Sequence, residues 1–258
     1  MSDFSDCIVT EQKSSVLEIK ICRPDKKNAI NLEMYLALEA ALLQAEENSS
    51  VKVVILTGSN ACFTSGNDLA VFASPSQLTD LDNPIFKFMS ALRTVSKPVV
   101  AAVDGIAIGI GTTMLLHCDF IVASRSAEFR LPFVDLGLTP EYAASFLLPR
   151  LVGHAKACEW LMLGESISAE QGLQFGLVNR IADAPLLSAR ELAEVLTKKP
   201  QRALRTTKAL LKATLNASVD RVIEKEVDLF SRALAGNEFA EAAAAFFEKR
   251  EADFSRLD

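Results

Sequence analysis

The sequence predicts an α/β fold, with a mostly parallel sheet interleaved with helices and a helical C-terminal region. Three observations predict it. Strand-like and helix-like patterns alternate over the first two-thirds of the chain. Short apolar runs rich in β-branched residues end at Gly58 and just before Gly105, as strands buried on both faces often do. From about Pro185 onward strand signals vanish, and alanine, leucine, lysine and glutamate dominate.

The elements follow in order. Val16 to Cys22 alternates at period two and reads as a strand with one wet face. Asn31 is placed to cap a helix on which Leu32, Tyr35, Leu36, Leu38, Leu42 and Leu43 fall near helical spacing, with Glu33 in its first turn. Val51–Thr57, Pro98–Val103 and Cys118–Ala123 read as buried parallel strands. The helical tail sets a division into residues 1–197 and 198–258, with the boundary near Thr197 to Pro200. No internal repeat is visible.

Composition narrows the function. The 258 residues carry a net charge of −6, so no global field attracts nucleic acid. Cys7, Cys22, Cys62, Cys118 and Cys158 are scattered, odd in number and lack a C-x-x-C pair, as expected of small core residues in a reducing compartment. Only His117 and His154 are present, with no H-E-x-x-H, so no histidine-rich metal centre is expected. Met1 to Cys7 holds two aspartates and no apolar run, unlike a signal peptide. The end, Ser255 to Asp258, is neither a prenylation box nor a peroxisomal S-K-L tail. Ile106 to Leu116, interrupted by Gly109 and Gly111, falls short of the ~20 apolar residues of a membrane span. A soluble, cytoplasmic protein is the expectation.

Two glycine-bearing segments invite chemistry. Gly105 to Gly111 follows a strand and opens a helix, but Met114 stands where a dinucleotide fingerprint starting at Gly109 needs glycine or alanine. There is no G-K-[ST] and no G-x-S-x-G. Phe63 to Leu69 is a second polar turn after a strand. Taken alone, each segment suits an ordinary packing loop. Taken together, two such turns can aim backbone N–H groups at one point and form an oxyanion hole.

The motifs decide between these readings. Lys26-Lys27-Asn28-Ala29-Ile30-Asn31, then Ser65-Gly66-Asn67-Asp68-Leu69, then Ala102-Val103-Asp104-Gly105-x-Ala107-x-Gly109-x-Gly111 with Cys118-Asp119, resemble the enoyl-CoA hydratase/isomerase (crotonase) superfamily. The likeness runs to the tail Phe246-Phe247-Glu248-Lys249-Arg250, and the first two motifs look most like peroxisomal-type Δ3,Δ2-enoyl-CoA isomerases. The resemblance implies a crotonase-like β-β-α spiral core, a C-terminal helical oligomerisation region, and trimers or dimers of trimers. It puts the oxyanion-hole donors on the backbone N–H groups of Ser65 and Ile110. It puts the CoA part of the substrate near Lys26, Asn28, Ala29, Gly66, Asp68 and Leu69, with Lys249 approaching the nucleotide phosphate from a neighbouring subunit. No metal or separate cofactor is implied. The tail residues Leu229, Phe230, Leu234, Phe239, Phe246 and Phe247 are candidates for burial against partners.

Within that family, carboxylates separate the chemistries. Efficient hydratases resembling this chain use two glutamates, whose positions here hold Thr113 and Phe133. Moving a double bond from the 3- to the 2-position needs one base, and Glu141 matches the base of a single-base isomerase. Dienoyl-CoA isomerases add acids at the Thr113 and Phe133 positions, which this chain lacks. Thr139 and Pro140 are expected to start a helix with Glu141 in its first turn, where the helix dipole opposes the apolar surroundings of Leu138, Tyr142, Ala143 and Ala144. A bland alternative has Glu141 serving only that dipole. Asp68 and Asp119 suit turn braces, while Glu128 and Asp135 lie on the wrong side of Phe133. Phe72, Phe86, Phe88, Met89 and Phe133 are candidates for an acyl tunnel or for core. Two further readings stay open: a weak hydratase or other crotonase chemistry, and a non-catalytic acyl-CoA-binding or scaffolding protein.

Overall fold

The computed structural model describes residues 7–68, 71 and 83–255. Strand β1 (Ile8–Lys13) turns through Ser14-Ser15 into β2 (Val16–Ile21). Asn31 accepts the Met34 N–H and caps helix α1 (Leu32–Glu47), as its sequence predicts. There follow β3 (Val53–Thr57), α2 (Pro84–Thr94), β4 (Val99–Val103), β5 (Ile106–Ile108), the single turn α3 (Ile110–Thr113), β6 (Phe120–Ala123) and β7 (Glu128–Arg130). Then come α4 (Ala144–Val152), α5 (His154–Met162), β8 (Ile167–Ser168), α6 (Ala169–Gln174) and β9 (Arg180–Ile181). Helices α7 (Pro185–Thr197), α8 (Gln201–Leu234) and α9 (Asn237–Glu248) complete the described chain.

The strands form a six-stranded sheet in the order β1-β2-β3-β4-β6-β9, parallel except for the β1–β2 hairpin, and a three-stranded sheet β5-β7-β8. Every residue of β3 and β4 is buried because both faces are covered. Val53, Ile55, Val100 and Ala102 pack under Ala189, Leu192 and Leu196 of α7, while Val54, Leu56, Val99 and Ala101 face the main core with Met34, Leu38 and Leu92. Only Asp104 and Gly105 separate β4 from β5, so the chain passes at once from the large sheet to the small one. That step delivers the next helix start beside the Phe63–Asp68 turn.

Three expectations are corrected. Glu18, on the supposedly wet face of β2, is buried and held by both nitrogens of an Arg190 fork at 2.6 and 2.7 Å. The five cysteines are half-buried rather than core, with Cys7 and Cys118 packed against its edge. In the tail, Leu234 is buried and Phe230 and Phe239 pack against this chain's own core, whereas Leu229, Phe246 and Phe247 stay exposed.

Candidate active site

Two turns meet where the sequence places its glycine segments. Phe63 and Thr64 donate their N–H groups to Ile106 O at 3.1 Å, and Ile108 N–H returns a bond to Thr64 O at 3.1 Å. Gly66 lies so close that a Cβ there would stand 2.7 Å from Ile108 O, and its φ of +94° favours glycine in any case. Gly109 caps α3 at φ 57°, ψ −119°, a conformation in essence reserved for glycine. Its carbonyl takes the N–H groups of Thr112 and Thr113 at 2.9 Å. Ile110 is the first helical residue, so its N–H has no acceptor within the helix and points out of the α3 N-terminus.

The other expected donor is differently placed. Ser65 N–H donates to Lys27 O at 3.0 Å, because Lys27 and Asn28 are both left-handed (φ 49° and 56°) and turn that carbonyl inward. The Asn28 side chain braces this loop from within. Fully buried, it accepts the Arg23 N–H at 2.8 Å and donates to Ser59 O and Cys62 O at 3.1 and 2.6 Å. Asp68 likewise braces, pairing with Arg23 at 2.7 Å, while Arg23 also donates to Ala29 O at 3.1 Å. The Lys26 side chain stays exposed at the rim of this loop, with half-buried Ala29 beside it. Lys249 is the exposed, left-handed C-cap of α9, a helix that packs on α8 and the Val134–Leu136 turn of its own chain. Leu69 and Phe72 lie outside the described residues.

Glu141 is buried, only 7 % exposed. It precedes its helix: α4 starts at Ala144, and Thr139 forms no cap, its buried hydroxyl finding no partner among the described residues. Tyr142 and Ala143, both left-handed at φ 59°, delay the helix at a cost of about 1–3 kcal/mol each. Tyr142 is anchored by its hydroxyl to Met89 O at 2.6 Å and by its carbonyl to His117 Nε2 at 2.8 Å, the two rings stacked 3.8 Å apart. Glu141 thus lies ahead of the helix rather than in its first turn. Burial pushes its carboxyl up to about 8, opposed by the Thr113 hydroxyl and reinforced by the carboxylate of Glu226.

Thr113 joins the parts. Its Oγ1 donates to Glu141 Oε1 at 2.5 Å. Thr113 and Ile110 are three residues apart on α3, about 4.5 Å along the axis. The hydroxyl that holds the buried acid and an unspent backbone donor therefore occupy the two ends of one helical turn. Thr113, set aside in the sequence as no carboxylate, proves to be the hydroxyl that holds the acid. Nearby, Tyr35 donates to Asn67 Oδ1 at 2.6 Å and lies 5.4 Å from the Phe88 ring. Phe88, Met89 and Phe133 are buried and Phe86 half-buried, all within the main core cluster.

A spiral of short strands and helices that sets an outward helix-start N–H beside a buried carboxyl defines the class. The family model for enoyl-CoA hydratase/isomerase matches residues 11–256, and the chain belongs to that family, an enzyme of the crotonase superfamily. It is 32% identical over 255 residues to the crotonyl-CoA hydratase of Syntrophomonas wolfei, covering 96% of this chain and 97% of that one. It is 31% identical over 261 residues to the 1,2-epoxyphenylacetyl-CoA isomerase of Escherichia coli, covering 96% and 98%. The solved structure of Pseudomonas aeruginosa OdaA superposes with a TM-score of 0.90 at 44% identity, covering 93% of this chain and 98% of that one. The crotonase fold expected from the motifs is thus the fold observed. Among the described residues no helix is long and apolar enough to cross a membrane.

Proposed function

We propose that the protein is a Δ3,Δ2-enoyl-CoA isomerase in which Glu141 alone shuttles the proton, with CoA entering as part of the substrate and not as a separate cofactor. The carrying observation is the Glu141–Thr113–Ile110 arrangement, with non-acidic residues at both positions where a hydratase resembling this chain holds glutamate. The Glu141 carboxylate takes a proton from C2 of a 3-enoyl thioester. The electron pair moves onto the thioester oxygen, and the resulting dienolate recovers the same proton at C4, leaving the double bond between C2 and C3.

Ile110 N–H receives the thioester oxygen from the start. Ser65 N–H joins as charge builds, because a bond to an enolate oxygen is roughly twice as strong as the neutral bond to Lys27 O that it replaces. That exchange strengthens only in the transition state, where it lowers the barrier. Lys26 and, from a neighbouring subunit, Lys249 would meet the CoA phosphates in a homotrimer or a dimer of trimers.

The test offers 3-enoyl-CoA and 2-enoyl-CoA to wild type and to Glu141→Gln. Isomerisation should fall by about 10²–10⁴ in the variant. Strong 3-hydroxyacyl-CoA formation from 2-enoyl-CoA would make it a hydratase instead, and binding without turnover would leave an acyl-CoA-binding protein.

A further inference from the structure

Only four residues of α8 are buried, and two of them, Lys208 and Glu226, carry charge. Lys208 is accounted for by an ion pair to Asp119 at 2.6 Å. Glu226 has no cationic partner among the ion pairs of the described residues. Its carboxylate is filled by three donors from one short segment: Ala143 N–H at 2.6 Å, Ser145 N–H at 3.1 Å and Ser145 Oγ at 2.5 Å. These are the opening residues of α4. The N-cap, Ala143, has no side-chain oxygen with which to cap its own helix. Between them, Ala144 N–H bonds back to Glu141 O at 3.1 Å. The left-handed pair Tyr142-Ala143 lies inside this clamp, and such backbone persists only where the surroundings over-determine it.

We propose that Glu226 is a positioning residue for the reaction: a carboxylate supplied by α8, more than eighty residues away in sequence, caps α4 from outside and fixes the turn that aims Glu141. The proposal rests on the reading of Glu141 as the base. It gives the C-terminal helix a part in the chemistry besides packing. No local signal marks Glu226 in the sequence, since it stands in the charged run Glu224-Lys225-Glu226 and its partners lie far away.

Glu226 also acts on Glu141 through its charge. Glu141 is faced by the Thr113 hydroxyl, the phenols of Tyr35 and Tyr142, and Glu226. Behind Tyr142 lies His117, which burial holds neutral down to about 3, with Arg93 of α2 and Lys212 of α8 beyond. Lys212, lowered by burial to about 8, titrates in the same range as Glu141 and serves as the control.

The experiment compares kcat, KM and pH profiles of wild type with Glu226→Ala, Glu226→Asp, Glu226→Gln, Glu141→Gln and Lys212→Met, all checked for folding. Glu226→Ala should lower kcat about 10- to 100-fold, as misplacing a reacting group by an ångström does, with KM within about twofold and partial recovery in Glu226→Asp. Glu226→Gln, without the like charge, should move the acid limb of the profile to lower pH. A folded Glu226→Ala with wild-type kcat and acid limb overturns the proposal, as does a limb that follows Lys212→Met alone. Should Glu226→Ala fail to fold, the isosteric Glu226→Gln decides by the same criteria. Wild type without isomerisation, or an active Glu141→Gln, would sink the base reading instead. The positioning claim is then decided by ¹³C NMR titration of the Glu141 carboxyl, which must differ between wild type and Glu226→Gln and whose identity in the two would refute it.

Discussion

As the proposed base, Glu141 is poised between two needs. A base must be ionised to take a proton, yet the apolar surroundings that make it a strong acceptor keep it protonated up to about 8. Isomerisation should therefore rise with pH and level off above about 8, which a kcat/KM profile tests directly. The Thr113 hydroxyl favours the charged form, so Thr113→Val should move that limb to higher pH. The same burial has a cost for folding. Below about 4.5 the folded and unfolded chains both hold the proton; between 4.5 and 8 only the folded chain does, and stability falls as pH rises through that window. Glu141→Gln should match wild type in thermal unfolding at pH 4 and exceed it at pH 9, on the order of a few kcal/mol. Equal melting temperatures at pH 9 would show that the carboxyl is solvated.

Elements differ in how plainly the sequence announces them. Val53–Thr57 and Val99–Val103 were legible because burial on both faces demands an unbroken apolar run. Helix α1 was legible from Asn31, although its buried face takes Met34, Ala41 and Ala45 and leaves Leu36 and Leu43 out. Strand β1 was not, because its last five residues, Val9 to Lys13, are exposed at the sheet edge. Strands β7, β8 and β9, two or three residues long, are too short to show a period. The Glu141 turn was misread for a deeper reason: Thr139-Pro140-Glu141 has every local mark of a helix start, and contacts from α8 and His117 override it. Helix α8 itself is tied down by Lys208, which bonds Asp119 at 2.6 Å and Lys97 O at 2.7 Å. Asp119 also takes the Val99 N–H at 2.8 Å, so the bond ties helix, loop and sheet together. Lys208→Ala should lower stability by about 3 kcal/mol, read as a lower urea midpoint at unchanged slope.

At the scale of the molecule, the C-terminal helices present more apolar surface than one chain covers. Leu210 and Leu211 are 68% and 74% exposed, and Phe246 and Phe247 are 62% and 71% exposed. Burying four such side chains contributes roughly 6–12 kcal/mol before costs, while association itself costs about 4–15 kcal/mol. An assembly built on them stands near its threshold, so a single buried charge should undo it. Leu211→Asp and Phe247→Asp, made separately and together, should shift the proposed trimer from three times 28.0 kDa to 28.0 kDa in sedimentation velocity. The same variants bear on the site. Helix α8 carries both Leu211 and Glu226, so freeing its outer face should loosen the clamp on α4. A monomer with a lowered kcat and an unchanged Glu141-dependent acid limb would mean that assembly steadies the turn without setting its charge. A monomer with wild-type kcat and a raised KM would confine the role of the proposed trimer to binding CoA.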